Sequence, residues 1–478
     1  MFDIVIIGAG ISGACIAREL SKYDLKVLVL EKNNDVATET TKANSAIIHA
    51  GFDAKEDTLM AKFNVLGNTL FDQLAEELNF PFKRNGSLVI AKNEEELETL
   101  KLLKARGEKN QVPDLYLLTR EETLELEPHI NKNISGALLA KTGAIAGPWE
   151  MTIALLENAV ENGVELLTNE EVVDITKEND IFTIFTTNNE FHSKVIINCA
   201  GIYADIIHNM ICEKSYKISP RKGEYFVLTK NEGEKFNHTI FQAPTSFGKG
   251  ILITPTVHEN LLVGPDAEDI YDKSTKATTR ERLKLIMEIS KETSNEIDFS
   301  EQIRQFSGLR AESDRNDFII EEDKKIKNFI DIGGIKSPGL SSAPAIALEV
   351  LNILGKRIML KKKKSFTPKI KNHIIFSKLN YYDKNKLITE NSKYGRIICK
   401  CENITEAEII DTIHRKVGAA TVDGVKRRCR PGMGNCQGAF CGPKIQEILA
   451  RELNKSLEEI ILDSKSSYIL TKETKGDI

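Results

Sequence analysis

The sequence predicts an α/β chain: a βαβ nucleotide-binding unit, an interleaved α+β region and a small helical module at the C-terminus. Three observations predict it. A β-branched run, a glycine-rich turn and a helical stretch open the chain, and a second apolar run follows them. Apolar runs and amphipathic helical patterns then alternate as far as Leu354. Finally, five of the eight cysteines fall between 399 and 441. At about 150 residues per domain, 478 residues suggest about three domains.

The opening unit is the most explicit. Phe2-Asp-Ile-Val-Ile-Ile7 reads as a buried strand, Ala14-Cys-Ile-Ala-Arg-Glu-Leu20 as a helix and Lys26-Val-Leu-Val-Leu30 as a second strand. Between the first strand and the helix, Gly8, Gly10 and Gly13 form G-x-G-x-x-G. The first glycine permits a tight turn, the second a close approach to a pyrophosphate and the third close helix–strand packing. The helix N-terminus, with Ile11 and Ser12, offers free N–H groups to phosphate. Glu31, at the end of the second strand, stands where a carboxylate accepts ribose hydroxyls. Together these predict a Rossmann-like dinucleotide site; the fingerprint alone does not choose the dinucleotide.

Further along, residues 57–78 show helical spacing of Met60, Phe63, Leu66, Leu70 and Leu74, and residues 94–106 read as a Glu/Lys/Leu-rich helix. Residues 151–163 predict a crossover helix, 165–174 a strand, and 194–201 a buried strand ending in Gly201. Residues 221–229 and 250–263 read as antiparallel strands, 278–294 as an amphipathic helix, 329–334 as the last strand, and 343–354 as a helix. From 356 to 394 apolar residues thin out around the basic run Lys361 to Lys364, which predicts a linker partly wrapping the body, its charges a solvated face. Residues 395–455 form the cysteine module, and 456–478 a polar tail.

Composition bounds the function. Hydrophobic residues at 41% can bury a core. Sixty-five basic against seventy acidic residues give a formal charge of −5, which argues against nucleic-acid binding. No run of eighteen apolar residues predicts a membrane span, and the N-terminus lacks the basic region of a signal peptide. The expected location is the cytoplasm, with any membrane attachment peripheral.

Four segments, in order, resemble the D-amino-acid-oxidase-like branch of the glutathione-reductase-type flavoproteins: the fingerprint with Glu31-Lys32, Thr41-Lys-Ala-Asn-Ser-Ala-Ile-Ile-His-Ala-Gly51, Val195-Ile-Ile-Asn-Cys-Ala-Gly201 and Lys336-Ser-Pro-Gly-Leu-Ser-Ser342. The resemblance covers residues 1–355 and implies FAD, with a substrate region at about 80–145 and 215–300. It places Thr41, Asn44 and Ser45 beside the flavin, the backbone of Val172 near adenine, and Gly201 against the dinucleotide. It also places Gly339, Leu340 and Ser341 at the pyrimidine end of the isoalloxazine. In the glycerol-3-phosphate enzymes of this branch the histidine matching His49 is the favoured base; read alone, His49 on an apolar strand is also a plain structural residue. The resemblance gives Arg310, in Ser307-Gly-Leu-Arg-Ala-Glu312, the anionic end of the substrate, against a surface ion pair with Glu312 or Asp314. Lys249 is a second anion candidate; Arg221 and Lys222 are weaker ones. The implied reaction is hydride transfer from a secondary alcohol to flavin N5.

In the module, Cys399 and Cys401 are spaced C-x-C, and Cys436 and Cys441 C-x4-C. Residues i and i+2 of an extended segment point the same way, so both thiolates of the first pair can reach one centre. Four thiolates satisfy a [2Fe–2S] cluster; zinc, which favours C-x2–4-C pairs, and a redox disulfide are the alternatives. Thr405 and Glu408 predict a capping box opening a helix to Val417, and 443–453 a second helix. The module resembles the bacterioferritin-associated-ferredoxin-like [2Fe–2S] domain, in the form fused to some anaerobic-type glycerol-3-phosphate dehydrogenases. Cys429 is expected to be no ligand.

The expected activity is oxidation of sn-glycerol 3-phosphate to dihydroxyacetone phosphate, with electrons leaving through the cluster to a second flavoprotein or iron–sulfur protein, or to a quinone. A 2-hydroxyacid (L-2-hydroxyglutarate) dehydrogenase, an amine or amino-acid dehydrogenase and a pure electron-transfer subunit are the competing readings.

Overall fold

The computed structural model describes residues 1–244 and 250–472. The strand Phe2–Ile7 lies between two parallel neighbours, Val27–Leu30 and Glu190–Asn198. Phe329–Gly333 extends the sheet beyond Glu190–Asn198, again in parallel. Ile4, Val5 and Ile6 are fully buried because helices cover the sheet: their burial stabilises the centre by about 1.5–3 kcal/mol per side chain. The helix Ile11–Leu20 packs between Pro148–Glu161 and Gly339–Gly355.

A second sheet carries the interleaved region. Its strands run in the spatial order Glu268–Asp269, Ile218–Leu228, Leu261–Gly264, Leu252–Pro255, Thr239–Gln242, Ser87–Ala91, Gly136–Ala140, Leu115–Thr119. Gln302–Ser313 pairs antiparallel along almost the whole of Ile218–Leu228, with Arg221 opposite Arg310. This long pair brings residue 310 back to the nucleotide-binding half. Gly308 makes the approach possible, since a Cβ there would lie 1.9 Å from the carbonyl oxygen of Ala43.

Several expectations are corrected. Residues 250–263 are a hairpin of two strands, turning at Thr256–Asn260, where the Thr256 N–H donates to the Asn260 carbonyl at 2.8 Å. Residues 165–174 split into Glu165–Leu167 and Val172–Glu178. The segment 356–394 contains a helix, Tyr381–Glu390, that the apolar pattern does not show because none of its residues is buried. Elsewhere this segment crosses the body: the Thr367 and Pro368 carbonyls accept from Asn158, and the Ile370 N–H donates to the Glu77 carbonyl. Residues 456–472 are no free polar tail. Ile460 is fully buried in the module's core, and the Asp463 carboxylate is bonded to Lys42 and Arg427.

The C-terminal module has its own apolar core, which includes Cys399, Cys441, Ile409, Ile445 and Leu449. Thr405 and Glu408 close the predicted capping box, and the helix runs Glu406–His414. A cap of this kind is worth about 1 kcal/mol.

Candidate active site and cysteine centre

The glycine loop is shaped by contact. Gly8 has φ +107°, and a Cβ there would lie 2.5 Å from the carbonyl oxygen of Cys199. A Cβ at Gly13 would lie 2.0 Å from the carbonyl oxygen of Gly8. Gly10 lies beside Thr41, whose hydroxyl accepts from the Ile11 N–H at 3.1 Å. The segment 40–42 is therefore tied to the first helix turn, where Ser12 follows. Glu31 is buried; its carboxylate accepts from the Ala9 N–H and from the Asn33 N–H, each at 2.9 Å. Burial pushes its pKa up, against those N–H donors. Lys32 packs its ammonium over the Tyr203 ring at 3.7 Å and pairs with Glu39.

These residues fit an FAD. At Gly201, where φ is +58°, a Cβ would meet nothing within 4 Å, so the end of the Glu190–Asn198 strand borders open space rather than packed protein. That opening adjoins the glycine loop through the Gly8–Cys199 contact. Val172, at the start of its strand, is buried and opposite Thr186. Asn44 folds its amide back onto the Thr40 and Thr41 carbonyls, and its side-chain oxygen accepts from the Ala46 N–H at 2.8 Å. The 40–46 segment is thus a preformed turn.

The reacting side is built around His49, which follows the short strand Ile47–Ile48. Its N–H donates to Ser341 Oγ at 2.7 Å, its carbonyl accepts from Asn68 at 3.0 Å, and its Nε2 lies 3.2 Å from Ser337 Oγ. Gly339 and Leu340 open the helix that carries Ser341. This helix meets Leu59–Leu78 so closely that a Cβ at Gly67 would lie 2.0 Å from the Ser341 carbonyl oxygen. Helix packing thus sets the height of Ser341, and Ser341 sets His49.

Arg310 makes neither of the ion pairs weighed for it. Glu312 pairs with Lys336, while Arg310 Nη2 donates to the Asp266 carbonyl at 3.1 Å. The Arg310 guanidinium also reaches Tyr225, a buried phenol stacked on Phe306 at 4.6 Å. The Tyr225 hydroxyl lies 3.3 Å from Ser45 Oγ. Ser45, Tyr225 and Arg310 therefore form one polar line out of the 40–46 turn. Lys222 is removed as an anion ligand: it is buried between Glu224 and Glu268, 3.0 Å from each. Arg221 faces Asp269 at 3.5 Å. Lys249 lies outside the described residues. Sequence reasoning missed Ser337 and Tyr225 as site residues. Ser337 stands within a segment already singled out, next to Lys336 and before Pro338; nothing local marks Tyr225.

In the module, Cys401 and Cys436 place their sulfurs 3.6 Å apart, and the Cys441 thiol donates to Cys399. That donation lowers Cys399 to about 6; burial opposes the shift, and the N–H groups of Gly432, Glu402 and Cys401 support it. Cys441 is raised by the same sharing. Cys436 receives the N–H groups of Gly438 and Phe440, which hold its thiol below the usual range. Among the described residues the three ligand atoms gathered within 4.8 Å of one another belong to His208, Cys212 and Asp323, and no three of the module's thiols gather so. These four thiols, with amide donors aimed at them, would hold a [2Fe–2S] cluster, which four thiolates satisfy. Cys429 sits apart, half-buried, its thiol directed to the Val425 carbonyl and Thr412. His208 is a structural residue, with Nδ1 on Asp331 at 2.7 Å and Nε2 on the Glu213 carbonyl at 2.8 Å.

Comparison with known proteins agrees with both halves. The chain is 53% identical over 480 residues to a glycerol 3-phosphate dehydrogenase of Caloramator mitchellensis, with complete coverage of each. It is 37% identical to a glycerol 3-phosphate oxidase of Mycoplasma genitalium, covering 77% of this chain and 97% of the oxidase. The FAD-bound L-alpha-glycerophosphate oxidase of Mycoplasma pneumoniae superposes with a TM-score of 0.75 at 36% identity, covering 78% of this chain and 99% of that one. Residues 3–352 match the FAD dependent oxidoreductase family, and residues 397–451 the BFD-like [2Fe-2S] binding domain. The chain belongs to the FAD dependent oxidoreductases and joins to that fold a BFD-like [2Fe-2S] domain.

Proposed function

We propose that the protein is a glycerol-3-phosphate dehydrogenase, oxidising sn-glycerol 3-phosphate to dihydroxyacetone phosphate. The observation that carries the reading is the pairing of His49 and Ser337 with the Ser45–Tyr225–Arg310 line around one flavin-side turn. It offers a base for a hydroxyl and a cation for a phosphate. The 53% identity over the whole chain supports the same substrate.

Bound FAD supplies the two-electron acceptor. The chain's residues do the rest. His49 Nε2 takes the proton from the C2 hydroxyl as the C2–H bond gives up its hydride, and C2–OH becomes C=O. Ser337 holds the imidazole edge. Arg310 binds phosphate oxygens with a planar fork that Tyr225 keeps in place. Gly8, Gly10, Gly13, Ile11 and Ser12 hold the pyrophosphate; Glu31 holds ribose; Lys32, Thr41, Asn44, Ser45, Val172, Gly201, Gly339, Leu340 and Ser341 frame the remainder of FAD. Cys399, Cys401, Cys436 and Cys441 hold the cluster.

The cluster favours a dehydrogenase over an oxidase. The Mycoplasma genitalium oxidase is 97% aligned to 77% of this chain, which leaves it no room for a module of this length. We infer that electrons pass on to a second flavoprotein or iron–sulfur protein. Among the described residues no helix is long and apolar enough to cross a membrane; we infer a cytoplasmic protein whose contact with a membrane, where there is one, is peripheral. Anaerobic titration tests the reading: glycerol 3-phosphate bleaches the flavin absorbance, and L-2-hydroxyglutarate does not. Bleaching by the hydroxyacid alone would transfer the assignment to that substrate class.

A further inference from the structure

The cluster module is bound to the flavin-binding domain through buried charge. Arg428 holds the Asp35 carboxylate with both prongs of its guanidinium, Nη1 to Oδ2 at 2.9 Å and Nη2 to Oδ1 at 2.8 Å. Arg427 Nη2 joins the same carboxylate at 2.9 Å, and its Nη1 donates to Asp463 at 2.7 Å. Asp463 in turn accepts from Lys42 at 2.7 Å. The three central side chains, Asp35, Arg427 and Arg428, are 7%, 6% and 0% exposed. The pair Lys416–Glu161 between the same two parts is 63% and 56% exposed, an ordinary solvated contact.

Each end of this network reaches a functional part. On one side Asp35 and Lys42 bound the segment that frames the dinucleotide site. Within that segment the Ala37 N–H donates to the carbonyl of Ala9 in the glycine loop at 3.1 Å, and Thr41 binds the Ile11 N–H. On the other side Arg427 and Arg428 lie on the helix Val422–Cys429, which continues directly into the loop carrying Cys436. Arg430, one residue past that helix, binds Glu402 at 3.1 Å, next to Cys401. Gly424 lets this helix approach, since a Cβ there would lie 3.3 Å from Asp35 Oδ2.

We propose that Asp35, Arg427 and Arg428 are positioning residues for electron transfer: they clamp the cluster module rigidly on the flavin-framing segment, so that substrate electrons reach the cluster within the chain and not by a swinging module. A module that swung out would have to break the Arg428–Asp35 fork, the Arg427–Asp35 bond and the Lys42–Asp463 bond together, and these charge-assisted bonds fix one docked orientation by their geometry. The proposal rests on the glycerol 3-phosphate reading for its substrate, and on neither a particular acceptor nor a membrane.

The test uses the full-length holoenzyme with FAD and cluster loaded and iron content checked. Two double variants are compared with the unaltered chain: Arg427→Lys with Arg428→Lys, which keeps both charges but loses the fork, and Arg427→Ala with Arg428→Ala. In anaerobic stopped flow with glycerol 3-phosphate, flavin bleaching should stay at its original rate while loss of cluster absorbance slows by about tenfold or more, because the docked, competent fraction falls. The lysine variant should show the smaller effect, and it serves where the alanine variant does not retain iron. Amide exchange over 35–42 and 422–429 should rise by about a hundredfold in the alanine variant, the factor for a broken buried ion pair, with the Phe2–Ile7 strand unchanged. An unchanged rate of cluster reduction with normal iron content, or slowing of flavin and cluster together, overturns the proposal. Where glycerol 3-phosphate does not bleach even the unaltered protein, the substrate reading fails and exchange alone decides: a rise confined to the two segments supports the clamp, and none overturns it.

Discussion

His49 is held at three atoms by residues from two other parts of the chain, Asn68 and the pair Ser337 and Ser341, which makes its replacement a measure of ring chemistry and not of folding. His49→Asn keeps a backbone N–H for Ser341 and removes the base. Flavin reduction by glycerol 3-phosphate should fall by about 10²–10⁴-fold, read by anaerobic stopped flow. Reduction at the original rate would put the base elsewhere. Arg310→Ala should act on binding instead: loss of a charge-assisted hydrogen bond, about 1.5–3 kcal/mol, should raise KM roughly 10–150-fold. Arg310→Lys should recover only part, since an ammonium lacks the fork that Tyr225 and the Asp266 carbonyl orient. An unchanged KM in both would remove Arg310 from the substrate. His49 is legible only through the family resemblance, while the glycines, Glu31 and the four cysteines are legible as candidates from local patterns of known geometry. Ser337 and Tyr225 are not. Ser337 meets His49 across 288 residues and Tyr225 meets Ser45 across 180, so only the folded chain shows the partnership.

Among the elements, buried strands and two-faced helices were legible, and short or solvated ones were not. Tyr381–Glu390 buries no side chain and leaves no apolar stripe. Asp463 lies in a polar stretch, and its partners Lys42 and Arg427, 421 and 36 residues away, meet it only in the folded chain. The helices that join the two parts carry a second, titratable link. His373 stands between Glu157 of the helix Pro148–Glu161 and Asp411 of the helix Glu406–His414, at 3.3 Å from each. Burial lowers its pKa, but the Asp411 and Glu157 carboxylates more than reverse this and raise it above the free value. A raised histidine adds stability that is complete below the unfolded pKa of about 6.5 and is lost as pH rises through the folded pKa above it. Unfolding of the module, followed by its own absorbance, should therefore occur at lower temperature at pH 9 than at pH 6, by an increment under about 1 kcal/mol for a partly exposed bridge. His373→Gln should abolish that part of the difference; an equal pH dependence in the variant would assign it to other groups.

At the scale of the whole molecule, the chain adds a second domain to a length that the oxidase relatives do without. The Mycoplasma genitalium oxidase aligns over 97% of its length with 77% of this chain, and the four paired thiols of this chain fall in residues 397–451, which match the [2Fe-2S] domain. Cys401 is exposed, and the neighbouring Phe440 is 81% exposed, so one thiol pair opens to the surface while Cys399 and Cys441 lie inside. Substrate oxidation and electron exit should then be separable by a single atom. Cys436→Ser replaces one sulfur of the outer pair with an oxygen, a poor partner for iron in a thiolate site. The protein should keep its flavin, still bleach with glycerol 3-phosphate, and lose most of its turnover with one-electron acceptors, falling to the rate at which reduced flavin gives up electrons directly. Cys429→Ser, changed as conservatively but with its thiol turned to the Val425 carbonyl and away from the pairs, should keep iron, cluster absorbance and turnover. Loss of cluster in the Cys429 variant would redraw the ligand set. Full acceptor turnover in an iron-free Cys436 variant would mean that electrons leave from the flavin itself, and the module would then have to serve assembly and not conduction.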